Sequence, residues 1–332
     1  MPLPHLLLLL LATSAPAPEP SPGDAAWEAW ANFPGQPLYT TTVPLEYERS
    51  ALFAPPLLLP KGCFAFSTRF DYASAILLYN SHNSVLLDAE IGHLDFAFTL
   101  KLTPSLFLLA MGGVQGAYAG FMDQFLNWYH GLFGIPYPAR AMRPINKFGY
   151  YFQVGTERET FKPVGLQLLD TTLGVGWMLG QHLQLLGVVV VPTAWVNGYA
   201  AHTVQFGAML TYQTPFLWSW LQLQATLGVG ATPKAGGGLL EPYQNVVFDS
   251  FSLGLKARLS EHNFLYANFF LQSPIYHHTY DPPLDISDGS LDFGWMFRTD
   301  SDWEFWVGVT ENPVVNGIAN DVVFVFGARY GL

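Results

Sequence analysis

Hydrophobic and polar residues alternate with a period of two along most of the chain after residue 60. Between Phe64 and Tyr72, the aromatic residues occupy one set of alternate positions, and Ser67, Arg69 and Asp71 occupy the other. Successive side chains of a β-strand point to opposite faces of the sheet, so this pattern predicts a strand with one apolar and one polar face. The same alternation recurs in the segments 203–212, 250–259, 291–298 and 321–330.

The connections between these segments indicate a membrane barrel rather than a soluble sandwich. Short polar turns, such as Ser260–Asn263 and Thr299–Asp302, alternate with long excursions such as 116–164 and 274–289. Short turns at one end and long loops at the other are typical of outer-membrane barrels. The segment Phe148–Val154, with 160–162, would break this rhythm as a spanning strand, so we assign it to a hairpin inside the large outer loop. Twelve spanning strands remain, near 61–73, 85–102, 105–115, 165–179, 183–191, 203–212, 216–230, 245–259, 264–273, 290–298, 303–311 and 321–330.

The predicted fold class is therefore all-β: an antiparallel transmembrane β-barrel of about 12 strands, with one short helix in a long extracellular loop. A membrane-embedded sheet has to close on itself, because lipid cannot satisfy the polar groups of an open edge. After the leader, the sequence has no run of 18 apolar residues of the kind that a spanning helix needs. Near Gly92–His93 the apolar residues change from one set of alternate positions to the other, which predicts a β-bulge there.

Composition supports a membrane protein and excludes several other classes. Charged residues make up 12% of the chain and hydrophobic residues 50%, whereas soluble domains carry about 25% charged residues. The net charge of −11 argues against a nucleic-acid partner, and a single cysteine excludes an internal disulfide framework. Residues 1–17 resemble a signal peptide, residues 18–60 form a Pro-rich periplasmic segment, and 61–332 form the barrel. The expected location is the outer membrane of a Gram-negative cell.

One segment resembles a motif of an uncharacterised family. Residues 120–136, GFMDQFLNWYHGLFGIP, resemble the pattern G-F-[LM]-D-x-F-[IL]-x-x-[WY]-H-x-x-F-G-[LI]-P of Gram-negative proteins grouped only as a domain of unknown function. Val191-Pro192-Thr193 and Glu311 with 321–324 resemble further parts of that family, although Ala194 replaces its usual glycine. The last residue is Leu332, where barrel-assembly signals usually have an aromatic residue. The resemblance implies an exported outer-membrane barrel and no established activity.

The helix in this segment supplies the first candidate site. Phe121, Phe125, Trp128 and Leu132 share one side, which we expect to pack on the barrel rim, with the helix as a lid over the outer mouth. The polar side could line the lumen or an active site, or it could only solvate the lid. The candidate lid and lumen residues are Asp123, Asn127, Trp128 and His130.

The second candidate site is the set of charges predicted to face the lumen. Six of these residues are basic and six are acidic, so the lumen either carries an electric field across it or is closed by ion pairs. The residues are Arg69, Asp71, Asp95, Lys101, Asp170, Lys256, Arg258, Asp292, Arg298, Glu304, Asp321 and Arg329.

The leading functional hypothesis is a monomeric, narrow channel or binding barrel for a small solute, gated by residues 121–133. The alternatives are an outer-membrane enzyme that modifies lipid, with His130 and Asp123 as its candidate residues, and a plugged structural or adhesive barrel. We find no convincing catalytic constellation, metal site or cofactor motif; the loop with His277, His278, Asp281, Asp285 and Asp288 is interpreted as a solvated acidic loop. Expected partners are outer-membrane lipid, lipopolysaccharide and the barrel-assembly machinery.

Overall fold

The computed structural model describes residues 64–80, 83–103, 106–134, 142–179, 182–214, 217–218, 220–234, 238–301, 303–312 and 322–331. The predicted signal peptide, the segment 18–60 and Asp321 lie outside these residues. The strands are β1 Phe64–Asn80, β2 Asn83–Lys101, β3 Leu106–Tyr118, β4 Gly149–Val154, β5 Glu157–Thr160, β6 Val164–Leu168, β7 Thr171–Met178, β8 Leu183–Val191, β9 Gln205–Gln213, β10 Leu221–Ala231, β11 Val247–Arg258, β12 Asn263–Gln272, β13 Asp288–Arg298, β14 Trp303–Glu311 and β15 Val322–Gly331. The helices are α1 Met122–Phe133, α2 Pro282–Asp285 and a short 3₁₀ helix, Glu241–Tyr243.

Twelve of these strands form a closed antiparallel barrel, which confirms the predicted fold and strand number. Each strand pairs with its neighbour in the order β1, β2, β3 and β7 to β15, and β15 pairs with β1 over Ala65–Ser74. The other three strands add to the wall at the long-loop end. Strands β4 and β5 form a hairpin whose first strand pairs with Asn83–Asp88 of β2, and β6 pairs with β3.

The faces of the strands follow the predicted alternation. Phe70, Phe326, Val307 and Phe293 point outward and remain exposed, whereas Arg69, Asp71, Asp292 and Arg329 point inward and are buried. Aromatic residues collect on the outer surface near the short turns, where Trp303 and Tyr330 pack with ring centroids 4.8 Å apart. Trp177 and Trp218 are exposed at the same end. This belt suits the interface between lipid and water.

The predicted β-bulge at Gly92–His93 is wrong. Gly92 pairs with Tyr72 and Gly116, and His93 pairs with Asp71 and Gln115, without any shift of register. The strands β1 and β2 also continue beyond the predicted boundaries, so residues 74–80 and 83–84, which the sequence pattern predicts to lie in a long connection, belong to the strands. The apolar residues change position at Gly92 because the part of β2 nearest the long loops is covered on its outward face by other parts of the chain, as described below.

Glycines on the inner face allow large aromatic rings to lie flat against the wall. A Cβ atom on Gly327 of β15 would lie 2.1 Å from the ring of Trp306, and one on Gly308 would lie 2.2 Å from the hydroxyl of Tyr266. Trp306 is 3% exposed and packs in the main hydrophobic cluster. The glycines therefore keep these rings from extending into the middle of the barrel.

We expect Gly327→Ala to destabilise the barrel by about 1–3 kcal/mol, because the ring of Trp306 has to leave its packed position. The measurement is urea unfolding of the refolded protein in detergent, followed by tryptophan fluorescence. Gly131→Ala is the matched control: no atom lies within 4 Å of its Cβ position, and alanine favours a helix. Equal stability of the two variants would contradict this account of Gly327.

Candidate functional site

Most of the charges predicted to face the lumen lie on the inner faces of the strands. Strand alternation and register place ten of the twelve there, namely Arg69, Asp71, Asp95, Lys101, Lys256, Arg258, Asp292, Arg298, Glu304 and Arg329. Asp170 instead lies between β6 and β7, where its Oδ1 accepts a hydrogen bond of 2.9 Å from the amide of Ala194. Asp321 lies outside the described residues.

Arg69 is the centre of one buried ion-pair network. Its Nε donates to Asp71 Oδ1 at 2.8 Å, and its Nη1 donates to Asp292 Oδ2 at 3.0 Å. The hydroxyl of Thr310 donates to the other oxygen of Asp292 at 3.2 Å. All three charged side chains are at most 1% exposed. The guanidinium therefore joins β1 to β13 across the barrel interior and neutralises carboxylates from both strands.

A second network lies around Glu304. Arg329, its register partner on β15, donates to the Glu304 carboxylate, and both side chains are buried. The charges of Arg298 and Arg329 act on Lys256, as does that of Glu304. The Nζ atom of Lys256 lies 5.6 Å from the centre of the Phe264 ring, within the range of a cation–π contact. One carboxylate thus holds a basic cluster at the inner surface.

The opposite wall, in its described strand positions, has no charged side chain on its inner face. In the described strands β3 and β7 to β10, every inward position is occupied by a small, apolar or uncharged polar residue. The polar members on β8 to β10 are Gln184, Gln205, Thr211, Gln213, Gln222, Gln224 and Thr226. The interior is therefore divided into a charged wall, with six basic and four acidic side chains among the ten predicted charges found there, and an uncharged wall of amides, hydroxyls, glycines and apolar side chains. The balance of signs predicted from the sequence is thus not found in the described residues, because Asp170 lies elsewhere and Asp321 is outside them.

Three inward-facing glutamines on or beside the uncharged wall have unsatisfied amides. Gln115 of β3, Gln167 of β6 and Gln184 of β8 are at most 2% exposed, and neither amide atom of any of them meets a hydrogen-bond partner in the described structure. An unsatisfied buried amide costs about 1–3 kcal/mol. Water or a solute can reach these amides only after neighbouring side chains move, because all three are at most 2% exposed. Sequence reasoning missed them because neutral residues do not stand out in a polar strand face.

The long-loop end of the interior is covered by packed apolar side chains. Tyr150 and Phe152 of β4 face inward and contact Phe161, and the Tyr150 and Tyr199 rings lie 5.4 Å apart. The hydroxyl of Tyr150 donates to the carbonyl of Gly198 at 2.7 Å, and that of Tyr199 donates to the carbonyl of Lys162 at 2.8 Å. These contacts join the β4–β5 hairpin to the loop before β9.

The loop between β12 and β13 belongs to this cover. Tyr276 is fully buried and Asp281 is 1% exposed, so the interpretation of this segment as a solvated acidic loop is wrong. Asp285 accepts hydrogen bonds from the amide and hydroxyl of Thr279 at 3.0 and 2.8 Å. Burial, with a smaller contribution from the nearby charge of Asp285, raises the pKa of Asp281 to about 7.

This pKa predicts that the β12–β13 loop is packed more firmly at acidic pH. The folded loop retains the proton of Asp281 up to about pH 7, whereas the unfolded chain releases it near pH 4. The stabilisation is therefore complete below about pH 4 and is lost as the pH rises through about 7. Amide hydrogen exchange of residues 275–287, corrected for the intrinsic rate, should accelerate between pH 5 and pH 8. Asp281→Asn should flatten this dependence; an unchanged dependence in that variant would contradict the assignment.

Helix α1 lies on the outward-facing surface of the barrel wall. Its buried residues Met122 and Leu126 pack against Val322, and its Tyr129 joins the same cluster with Phe324 and Val309. Val322 and Phe324 share the outward face of β15 with the exposed Phe326. The expectation that α1 is a lid over the outer mouth is therefore wrong.

Two outward carboxylates hold α1 along one row of paired residues. Glu90, Ser74, Val322 and Glu311 are successive register partners on β2, β1, β15 and β14. At one end of the row, Glu90 accepts hydrogen bonds from the Met122 amide and from the Tyr72 hydroxyl. At the other end, the Tyr129 hydroxyl donates to Glu311 at 3.1 Å.

The helix begins beside Glu90 because glycine precedes it. A Cβ atom on Gly120 would lie 1.7 Å from the Glu90 carboxyl carbon, so a larger residue would displace this carboxylate from its position beside the first helical amide. A negative charge at this position also favours the helix dipole. Two residues further along β2 towards the long-loop end, Asp88 accepts a hydrogen bond of 2.7 Å from Nε of Arg143. The acids on the outward face of β2 are thus covered by α1 and the segment after it.

The predicted helix residues have different surroundings from those expected. Asp123 accepts a hydrogen bond of 2.5 Å from the Asn146 amide, and Asn127 lies with it near Ile76, Asp88 and Arg143. His130 is buried, 5.6 Å from the Tyr129 ring, and Trp128 is 61% exposed. All four lie on the outer wall rather than in the lumen. The aromatic side of the helix, expected to pack on the rim, is the exposed side.

Glu90→Ala should loosen the start of α1. The change removes an acceptor of the first helical amide and a charge at the helix N-terminus, which together contribute about 1–2 kcal/mol. We expect amide exchange of residues 122–126 to accelerate about fivefold to thirtyfold. Glu159→Ala, at an acid in the β4–β5 hairpin, is the control and should leave that exchange unchanged. Unaltered protection of α1 in Glu90→Ala would refute the anchoring role of this carboxylate.

The fold and the divided interior define a class: a closed, antiparallel barrel of the transmembrane type with a filled outer end. The chain belongs to the family described as "Protein of unknown function (DUF3187)", which matches residues 47–332. No curated protein sequence matches the chain.

Several solved structures are similar to this chain to different degrees. The COG4313 outer membrane channel from Pseudomonas putida F1 has a TM-score of 0.54 at 10% identity, with 82% of this chain and 96% of that chain covered. The toluene transporter TodX from Pseudomonas putida has a TM-score of 0.39 at 8% identity, with 90% and 95% covered. A FadL homologue from Pseudomonas aeruginosa has a TM-score of 0.41 at 11% identity, with 90% and 99% covered. At such identities, the similarity to the COG4313 channel concerns the fold alone.

Among the described residues, no helix has the length and apolar character needed to cross a membrane. Likewise, the described residues contain no group of three or more His, Cys, Asp or Glu side chains placed to hold a metal ion.

Proposed function

We propose that the protein is a narrow outer-membrane channel that binds and passes small, uncharged polar solutes. The observation that carries this proposal is the uncharged wall of β3 and β7 to β10, with the unsatisfied amides of Gln115 and Gln184. Amide donors and acceptors bind hydroxyl and amide groups of a solute directly. The location in the outer membrane rests on the closed barrel and its exposed apolar belt.

Ion pairs on the charged wall leave an excess of two basic side chains among the ten predicted charges found there, so we expect at most a weak preference for anions. A pore that selects ions of one sign has a clear excess of the opposite charge along its lining. Here Arg69 is engaged by Asp71 and Asp292, and Arg329 is engaged by Glu304. These ion pairs fix the shape of one side of the lumen, and the uncharged side is left to contact the solute.

The apolar cover at the long-loop end controls access in this proposal, in place of helix α1. Tyr199 connects the loop before β9 to Tyr150 and to Lys162, so a solute can enter only when this contact opens. Opening separates two loops and does not disturb the barrel strands.

Swelling of proteoliposomes tests the proposal. Arabinose is the uncharged solute, and gluconate and lysine are charged solutes of similar size. We expect arabinose to enter about tenfold faster than either charged solute, which corresponds to about 1.4 kcal/mol in the barrier. Gln184→Leu should slow arabinose, whereas Leu186→Met on the same face should not. Swelling at the level of protein-free liposomes for all three solutes would favour a plugged structural barrel and refute the proposal.

A second pair of variants tests the site of access. Tyr199→Ala removes the ring contact with Tyr150 and the hydrogen bond to Lys162, so arabinose entry should increase several-fold. Tyr151→Ala changes a tyrosine of β4 that faces away from Tyr150 and should have no effect. Faster entry in both variants, or in neither, would place the point of control elsewhere.

A further inference from the structure

The exposed side of helix α1 forms a continuous apolar surface. Phe121 is 71% exposed, Trp128 61% and Leu132 63%, and the partly exposed Phe125 lies between them. These residues lie at helical spacings of three and four and therefore share one face. The residues that pack on the barrel, Met122 and Leu126, lie about a quarter turn away.

This apolar face is turned towards the apolar belt of the barrel. The helix follows the row Glu90–Ser74–Val322–Glu311, and the next row towards the short turns contains Tyr72, Phe324 and Val309. Phe121 stacks on Tyr72 at 5.6 Å, and Phe125 contacts Phe324 at 5.9 Å. Phe326, the next outward residue of β15, is 50% exposed and belongs to the apolar belt of the barrel. The helix face is thus continuous with that belt.

The polar face points the other way. Asp123 and Asn127 lie beside Ile76 and Asp88, which are two residues beyond the helix row towards the long loops. The ion pair of Asp88 and Arg143 lies on this side. A helix with its aromatic face towards the lipid core and its charged neighbours towards water has the orientation of an interfacial amphipathic helix.

The depth of the helix agrees with this orientation. Eight residues of β15 separate Tyr330, in the aromatic belt near the short turns, from Val322 beneath the helix. At about 3.3 Å per residue and a tilt of about 40°, Val322 lies about 20 Å above Tyr330 along the barrel axis. The apolar band of such barrels is about 25 Å tall. The helix therefore lies at the far edge of that band.

We infer that α1 is an interfacial helix embedded in the outer leaflet, with Phe121, Phe125, Trp128 and Leu132 in contact with lipid acyl chains. The partner is a lipid surface, and the bound chemistry is the upper part of the acyl chains below the headgroups. This inference does not depend on what the lumen transports, because it concerns only the external surface of the wall.

Site-specific fluorescence in proteoliposomes tests the inference. Cys63 is the only cysteine of the sequence, so a Cys63→Ser background accepts single labels. Bimane is attached at Trp128→Cys on the apolar face, at Asn127→Cys on the polar face, at Phe326→Cys in the belt and at Glu261→Cys in a short turn. Phosphatidylcholine vesicles carry a spin label at carbon 5 of the acyl chain, and iodide is the aqueous quencher. A difference in gel migration between heated and unheated samples verifies that each variant is folded. If Trp128→Cys does not fold, Leu132→Cys replaces it.

We expect acyl-chain quenching at Trp128→Cys to be within about twofold of that at Phe326→Cys. Asn127→Cys, one residue away, should resemble Glu261→Cys and respond mainly to iodide. Equal iodide quenching at Trp128→Cys and Asn127→Cys, with no acyl-chain quenching, would overturn the inference in favour of a helix in water. Protection of Trp128→Cys from both quenchers, with disulfide-linked dimers of the unlabelled variant, would overturn it in favour of a second copy on this face. Channel activity is not a readout here, so failure of the proposed function leaves the outcome unaffected.

Discussion

Arg69→Ala should destabilise the barrel by about 3–5 kcal/mol, the largest effect expected of any single change in the lumen. The substitution leaves Asp71 and Asp292 buried without the guanidinium that pairs with both. Protein atoms enclose these inward-facing carboxylates, which are at most 1% exposed, so water cannot replace the lost hydrogen bonds at low cost. Urea unfolding in lipid vesicles, followed by tryptophan fluorescence, measures the change in the free energy of unfolding.

A triple variant separates the loss of the pair from the loss of packing. Arg69→Met with Asp71→Asn and Asp292→Asn keeps similar volumes and removes all three charges together. Replacement of a buried ion-pair group by neutral residues is often neutral or stabilising, so we expect most of the lost stability to return. If the triple variant is as unstable as Arg69→Ala, the charges of this network are not the cause.

Glu304→Ala should have the second largest effect, also about 3–5 kcal/mol. Glu304 is the carboxylate that receives Arg329, and its charge acts on Lys256 in the same cluster. Its removal leaves basic groups close together in a buried region, and their mutual repulsion adds to the lost hydrogen bonds. We expect a lower temperature for the loss of the heat-modifiable band on gels.

The rescue experiment uses the partner residue. Glu304→Met with Arg329→Met removes one charge of each sign from the register pair on β14 and β15. We expect the melting temperature to recover most of the difference from the unmodified protein. No recovery would show that Glu304 acts mainly on Lys256 and Arg298 rather than through Arg329.

Alternation of side chains carried most of the fold prediction. In a barrel wall, one face meets lipid and the other is enclosed, so the period-two pattern from Phe64 to Asp71 specifies the strand and its faces together. The alternation of short and long connections along the chain then predicted the number of spanning strands. It also assigned the segment around Tyr150 to a hairpin outside the spanning set, where β4 and β5 are found.

The position of α1 could not be predicted by the same reasoning. A change in the alternation of apolar residues, as near Gly92, can have two physical causes: an inserted residue, or a change in what covers the strand. The local sequence pattern is the same for both. The structure shows the second cause, because α1 covers Glu90 and the segment after it covers Asp88. One signal was available: an acid such as Glu90 on the outward phase of a membrane strand requires a cover.

The amphipathic pattern of α1 was also ambiguous. Its aromatic side is more hydrophobic than the side with Met122 and Leu126, and in a soluble protein the more hydrophobic side would pack on the core. In a membrane the lipid competes for that side, so the smaller residues pack on the wall and Trp128 stays exposed. The solvent, rather than the helix sequence, determines which face is buried against the protein.

The row that holds α1 has a consequence for assembly. The helix rests on β2, β1, β15 and β14, so it bridges the seam between the first and last strands of the barrel. Its docking surface combines Glu90 from the start of the barrel with Val322 and Glu311 from the end, and it is complete only when β15 has joined β1. The helix can therefore dock only after β1 and β15 have paired. In a barrel whose assembly stops before this pairing, α1 remains undocked.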